Sequence, residues 1–142
     1  MQIEILKKEN LNEDVQNQIS SLFAQLSPGK KQLSLDQIFR PDNQLTLACC
    51  IDDNKIIGIA SMCHYQIVSG NKAWIEDVVV DEATRGKGVG RKLMEKLLEV
   101  ALEKDTTEVL LFTEDHRVPA INLYKKLGFK PKGTRIYSLK RT

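Results

Sequence analysis

The sequence predicts an α/β (α+β) fold, a mixed and mostly antiparallel central sheet of about six to seven strands flanked by about four helices. Three observations carry this expectation. β-branched and aromatic runs alternate with segments of helical period. The early runs are joined by short polar turns, as in an antiparallel meander. The later ones are separated by whole helices, which makes the sheet mixed.

Gln2 to Lys7 reads as an opening strand. Leu11 to Leu26 reads as a helix, because Val15, Ile19, Leu22, Phe23 and Leu26 form one stripe, and Ser27-Pro28-Gly29 ends it. Leu35 to Phe39 is a shorter helical piece, with Ser34 as its cap and a stop before Pro41. Leu45 to Ile51 and Lys55 to Val68 are strands around the hairpin turn Asp52-Asp53-Asn54, and Ser69-Gly70-Asn71 leads into the next strand. That strand, Trp74 to Val80, is interrupted by only two acids, Glu76 and Asp77, and is expected to be mostly buried. In the following helix Val89, Leu93, Leu97, Val100 and Ala101 fall on one side, opposite Lys92, Glu95, Lys96, Glu99 and Glu103. Glu108 to Thr113 is a buried strand, and Pro119 to Leu127 a helix with proline near its start and Gly128 at its stop. Phe129 to Leu139 is expected to supply two more strands, broken at Pro131-Lys132-Gly133.

With 142 residues and 42% hydrophobic content, the chain is expected to form a single domain over 1–142 whose core needs no staples. A net charge of +2 is too small to draw in nucleic acid, so no such partner is expected. No stretch approaches the roughly 20 apolar residues of a membrane span, and MQIEILKKEN is too charged for a signal peptide. The expectation is a cytoplasmic protein with no membrane partner. Cys49, Cys50 and Cys63 are an odd number without C-x-x-C spacing, which points to reduced thiols in or near the core. His64 and His116 are far apart in sequence and no acidic cluster accompanies either, so no metal is expected. Oligomeric state is open, a homodimer included.

The most informative stretch is Arg85-Gly86-Lys87-Gly88-Val89-Gly90, which joins a strand to a helix. Alternating glycines let the backbone approach a ligand and aim several N–H groups at it. The helix start adds unpaired donors and its positive end. Arg85, Lys87, Arg91 and Lys92 add full charges, so the expected guest is a phosphate or pyrophosphate. The run lacks the G-x-x-x-x-G-K-[ST] of a P-loop, and Gly90 falls out of place for the dinucleotide G-x-G-x-x-G, which argues against nucleotide hydrolysis.

Arg85 to Gly90 does fit [QR]-x-x-G-x-[GA]. With EDVVV before it, LLFT after the helix and A-x-x-x-Y-x-x-x-G-F in PAINLYKKLGF, the chain resembles the GNAT superfamily of N-acetyltransferases. The resemblance is close from about Trp74 to Phe129 and looser from Ile56, where KIIGIASM is similar to the superfamily's preceding strand. It implies that acetyl-CoA is a co-substrate whose pyrophosphate lies on Arg85, Gly86, Lys87, Gly88, Val89, Gly90 and Arg91, and that the backbone of Val78, Val79 and Val80 meets the acetyl and pantetheine groups. It implies Tyr124 as the acid facing the departing sulfur, and it puts Asn122 within reach of the pantetheine arm, although an exposed helical asparagine is the plainer reading. Arg117 stands where many relatives carry a cofactor-binding asparagine, and no contact is carried over to it.

An amine with a pKa of about 10.4 is largely protonated at neutral pH, so a base is useful, and Glu76 and Asp77 are the candidates. Neighbours on a regular strand point to opposite faces. Glu76 shares the parity of Val78 and Val80, which favours it slightly, unless a bulge breaks the alternation. Either acid also reads as a satisfied polar group at a strand end, Tyr124 as a core tyrosine, and Trp74 as a packing residue. The sequence therefore points to acetyl transfer from acetyl-CoA to a primary amine of unidentified acceptor. The alternative is a noncatalytic acyl-CoA sensor or interaction module on the same fold.

Overall fold

Five strands form one sheet in a computed structural model that describes residues 1–141: β1 (Gln2–Ile5), β2 (Leu45–Asp52), β3 (Lys55–Ile67), β4 (Gly70–Val80) and β5 (Glu108–Leu111). They lie side by side in chain order. The first four pair antiparallel and β5 joins β4 parallel. Asp53 and Asn54, at φ 51° and 61°, make the β2–β3 turn, since Asp and Asn tolerate the left-handed conformation that a tight hairpin needs. Among the described residues there are also four α-helices, α1 (Glu13–Leu26), α2 (Leu35–Ile38), α3 (Val89–Glu103) and α4 (Val118–Lys126), and two short 3-10 turns, Lys8–Asn10 and Glu82–Thr84. By contact density the chain divides into the units Met1–Phe112 and Thr113–Thr142.

Within Met1–Phe112 the register decides which residues share a face. Cys49 pairs with Ile59 and Ile59 with Val79. These three join Leu47, Ile56 and the α1 and α2 residues Ile19, Leu22 and Leu35 in one buried cluster. α3 sets Val89, Leu93, Met94, Leu97 and Ala101 in the interior, the four larger side chains each contributing about 1.5–3 kcal/mol by leaving water. α1 starts where Asn12 Oδ1 accepts from the Val15 amide at 2.8 Å, an N-cap worth about 1 kcal/mol. α2 carries the reciprocal Ser34–Gln37 capping box. Cys49 and Cys50 are free thiols with no exposed surface, and burial, with the Glu4 charge and Cys50 beside it, pushes Cys49 up to about 11.

In Thr113–Thr142, α4 begins with Pro119 in its first turn and ends with Lys125 and Lys126. Gly128 at φ 100° closes it, with its amide donating to the Lys125 carbonyl and the Phe129 amide to the Tyr124 carbonyl. The two strands expected from Phe129 to Leu139 are absent, so the described sheet has five strands rather than six or seven. Strand-forming residues need a pleated surface to pack on. Here Ile136, Tyr137 and Leu139 remain 61%, 88% and 91% exposed, and Pro131 removes a backbone donor, so nothing offsets the entropy of ordering.

Candidate active site

The two acids sit at a break in the β3–β4 ladder. Ser61 pairs with Glu76 and Ile59 with Val79, so Asp77 and Val78 together oppose Ala60, and Asp77 takes φ 53°. This bulge corrects the alternation expected of a regular strand. Glu76 lies on the face of Trp74 and Val79, not on that of Val78 and Val80, because the extra residue reverses the parity beyond it. A left-handed aspartate costs backbone energy that a structure retains where it is over-determined, often at functional sites.

Asp77 keeps part of its surface in solvent, yet the desolvation imposed by the protein around it raises its carboxyl above the ordinary range, and Lys30, in the segment after α1, opposes the rise. The Cys63 thiol is itself raised by burial and then by Glu76 and Asp77, which places both carboxylates within electrostatic reach of one β3 residue. Beside them the Trp74 indole N–H donates to the Tyr65 hydroxyl at 3.0 Å, and its ring meets Phe112 edge-on at 5.9 Å between centroids. Phe112 is 59% exposed. Trp74 therefore packs as expected, and it does so as part of an aromatic surface next to the acids.

β5 accompanies β4 only from Lys72 to Ile75, opposite Glu108 to Leu111. From Glu76 to Val80 the ladder to β5 has ended, so Val78, Val79 and Val80 have no β5 partner on that edge of β4.

The basic turn follows. Gly86 and Gly88 stand at φ 85° and 78°, and a Cβ built on either meets nothing within 4 Å, so the space before the turn is open. Gly88 is the N-cap of α3 and supplies no side-chain cap, which leaves the amides of the first helical turn, Val89, Gly90 and Arg91, without that partner. Arg85, Lys87 and Lys92 are exposed, and Arg91 forms an i,i+4 ion pair with Glu95 at 2.8 Å. These residues suit a phosphate or pyrophosphate, since left-handed glycines, uncapped helix-start donors and exposed positive charge lie along one short stretch of chain.

Two further residues that support this turn escaped the reading of the sequence. Asp81 ends the strand and organises the short 3-10 turn Glu82–Thr84. Its amide donates to the Ile57 carbonyl at 2.8 Å, its carbonyl accepts from the Thr84 amide and hydroxyl, and its carboxylate accepts from the Ala83 amide. An aspartate directly after a strand and before a helical turn is the signal that marks it. At Gly58 an added Cβ would lie 2.8 Å from Val89 Cγ1 and 3.0 Å from Leu93 Cδ1, so glycine here lets α3 start close against β3. A lone glycine inside a strand pattern carries that message.

Tyr124 and Asn122 stand on α4, in Thr113–Thr142. Tyr124 meets the ring of Phe129 at 6.1 Å, and burial raises its hydroxyl against the opposing charge of Arg117. Asn122 is exposed. His64, lowered by burial and by Lys104, lies 3.2 Å from the Thr46 hydroxyl and lines a depression of about 430 Å³ at the start of β4, remote in the fold from the glycine turn. His116 pairs with Glu114. Among the described residues no group of three or more His, Cys, Asp or Glu side chains is arranged to hold a metal, and no helix is long and apolar enough to cross a membrane.

A sequence profile described as the acetyltransferase (GNAT) family matches residues 12–129. A thialysine N-epsilon-acetyltransferase of Mus musculus is 39% identical over 64 residues, 45% of this chain and 38% of that protein. A glucosamine 6-phosphate N-acetyltransferase of Trypanosoma brucei brucei is 36% identical over 85 residues, 58% of this chain and 56% of that protein. The chain thus spans about two fifths to just over half the length of these relatives. The fold is similar to the crystal structure of a Trypanosoma brucei acetyltransferase, with a TM-score of 0.78 at 24% identity over 98% of this chain and 99% of that one.

Proposed function

The chain belongs to the acetyltransferase (GNAT) family, and from that premise we propose that it moves an acetyl group from acetyl-CoA to a primary amine by direct attack. The observation that carries this reading is the open turn of Gly86 and Gly88 at the uncapped start of α3. When bound, acetyl-CoA supplies an activated thioester whose thiol can leave. Arg85, Lys87 and the amides from Gly88 to Arg91 hold its pyrophosphate, and the edge of β4 from Val78 to Val80, past the end of the β5 ladder, receives the pantetheine arm. The Val78 amide is the donor proposed for the developing oxyanion, a role whose loss typically costs about 3 kcal/mol.

Asp77 is the better base of the two acids. Its carboxyl is raised toward the pH at which an amine must lose a proton, and the bulge fixes its backbone. Glu76 adds negative charge beside it, and Trp74 and Phe112 offer apolar surface, a combination suited to drawing in a cationic amine with hydrocarbon next to it. Tyr124, held protonated by its raised pKa, is the proposed proton donor to the departing sulfur. Two relatives are named for amine acceptors, thialysine and glucosamine 6-phosphate, which is consistent with an amine acceptor here.

The test is release of free thiol from acetyl-CoA in the presence of amine pools, followed by identification of the acetylated product. Saturating acetyl-CoA that leaves the melting temperature unmoved would refute the binding reading. A clear rise in melting temperature without thiol release on any amine would favour the noncatalytic sensor.

A further inference from the structure

The helix α1 is tied to the start of the basic turn by one side chain. Gln25 Nε2 donates to Asp81 Oδ1 at 3.2 Å, and Gln25 Oε1 accepts from the Glu82 amide at 3.0 Å. One carboxamide thus grips both a carboxylate and the first amide of the 3-10 turn. Asp81 passes the constraint on, because its carbonyl accepts from the Thr84 amide at 2.9 Å and from the Thr84 hydroxyl at 3.1 Å. Thr84 is followed directly by Arg85, the first residue of the anion turn. The Asp81 side chain is only 14% exposed, and the exposed Lys55 stands 4.0 Å from its other oxygen.

The need for such a clamp follows from the turn itself. Gly86 and Gly88 give the backbone its approach to a ligand, and they also give it the largest conformational freedom to lose on binding. A loop that must be ordered by its ligand binds it more weakly than one held ready. Gly58 lets Val89 and Leu93 pack the far end of the turn close against β3. At the near end the corresponding anchor is the polar grip of Gln25. We infer that Gln25 and Asp81 are positioning residues for the pyrophosphate turn, setting affinity for the nucleotide half of acetyl-CoA from α1 without touching it. This rests on the reading of the turn as the acetyl-CoA site.

Acetyl-pantetheine, which carries the thioester but no pyrophosphate, separates positioning from general support of the fold. Acetyl-CoA and acetyl-pantetheine are compared as donors to one accepted amine, in the wild-type chain and in Gln25→Ala, with Gln25→Met as a second variant that keeps side-chain length. The expected result is that the advantage of acetyl-CoA in kcat/KM shrinks about tenfold in both variants, through KM rather than kcat. Asp81→Ala is expected to shrink it further, since it removes the carboxylate grip and the cap of the 3-10 turn together. A parallel loss on both donors, or an advantage left intact, would overturn the inference. If the wild-type chain itself does not prefer acetyl-CoA, the pyrophosphate reading of the turn falls first, and the inference with it.

Discussion

The glycine turn and the Asp77 bulge lie within about a dozen residues of each other, and both hold the backbone at positive φ, by opposite means. Gly86 and Gly88 reach φ 85° and 78° with no Cβ to strain, and what they present is main-chain N–H. Asp77 reaches φ 53° with a side chain attached, in a partly desolvated place that raises its pKa. A site that needs only backbone donors is served by the residue that has only backbone. A site that needs a carboxylate at a bulge uses one of the few side chains that tolerate the left-handed region, and accepts the partial desolvation that comes with the place.

The comparison breaks most completely at Gly88. Gly88→Val sets a β-branched residue in the left-handed region at a position whose surroundings are open, so the damage falls on the bound ligand more than on internal packing. Acetyl-CoA affinity by calorimetry is expected to fall at least about 10²-fold, equivalent to roughly 3 kcal/mol, in a chain that still unfolds cooperatively. Wild-type affinity in a folded variant would remove the turn from the cofactor site.

At Asp77 the expected effects on activity and stability have opposite signs. Asp77→Asn should lower kcat about 10²-fold if the carboxylate takes the amine proton, and should shift the pH–rate profile upward. It should also stabilise the fold slightly at neutral pH, the gain being small because solvent still reaches the carboxyl. A carboxyl whose folded pKa is raised binds more protons folded than unfolded, so its penalty is absent below the unfolded value and grows as pH rises through the folded one. Asparagine carries no such penalty and tolerates left-handed backbone well. Melting temperatures of both chains across pH 3 to 8 check this, and a variant that is never more stable than wild type would contradict the proposed burial cost. Glu76→Gln is expected to do less to the pH–rate profile than Asp77→Asn, and the reverse ranking would return the base to Glu76.

Tyr124→Phe keeps the ring contact with Phe129 and removes the hydroxyl alone. The turnover rate is expected to fall about tenfold, because a thiolate with a pKa of about 8.5 leaves without much help. Unaltered turnover with a lowered melting temperature would make it a core tyrosine. The smallest effect on activity is expected from Gly58→Ala, where the added methyl must displace Val89 and Leu93. A few-fold rise in KM for acetyl-CoA is expected, together with about 1–3 kcal/mol of destabilisation by chemical denaturation.

The elements, and the chemistry that depends on local pattern, were legible in the amino-acid order alone. The helical stripe from Val15 to Leu26, the Asp53-Asn54 turn and the run from Arg85 to Gly90 all declare themselves within a few residues, because periodicity, left-handed turns and anion cradles are local properties of a chain. Pairing partners, by contrast, are set only once distant segments meet in the folded chain. Phe129 to Leu139 has residues that suit strands, yet it gained no ladder, since a strand exists only against another edge. The faces of Glu76 and Asp77 depended on Ala60 of β3 being opposed by two residues instead of one, a count no inspection of Trp74 to Val80 alone can reveal. The grip of Gln25 on Asp81 and Glu82 joins residues more than fifty positions apart, and such a contact is made by how α1 packs, after the local pattern has had its say.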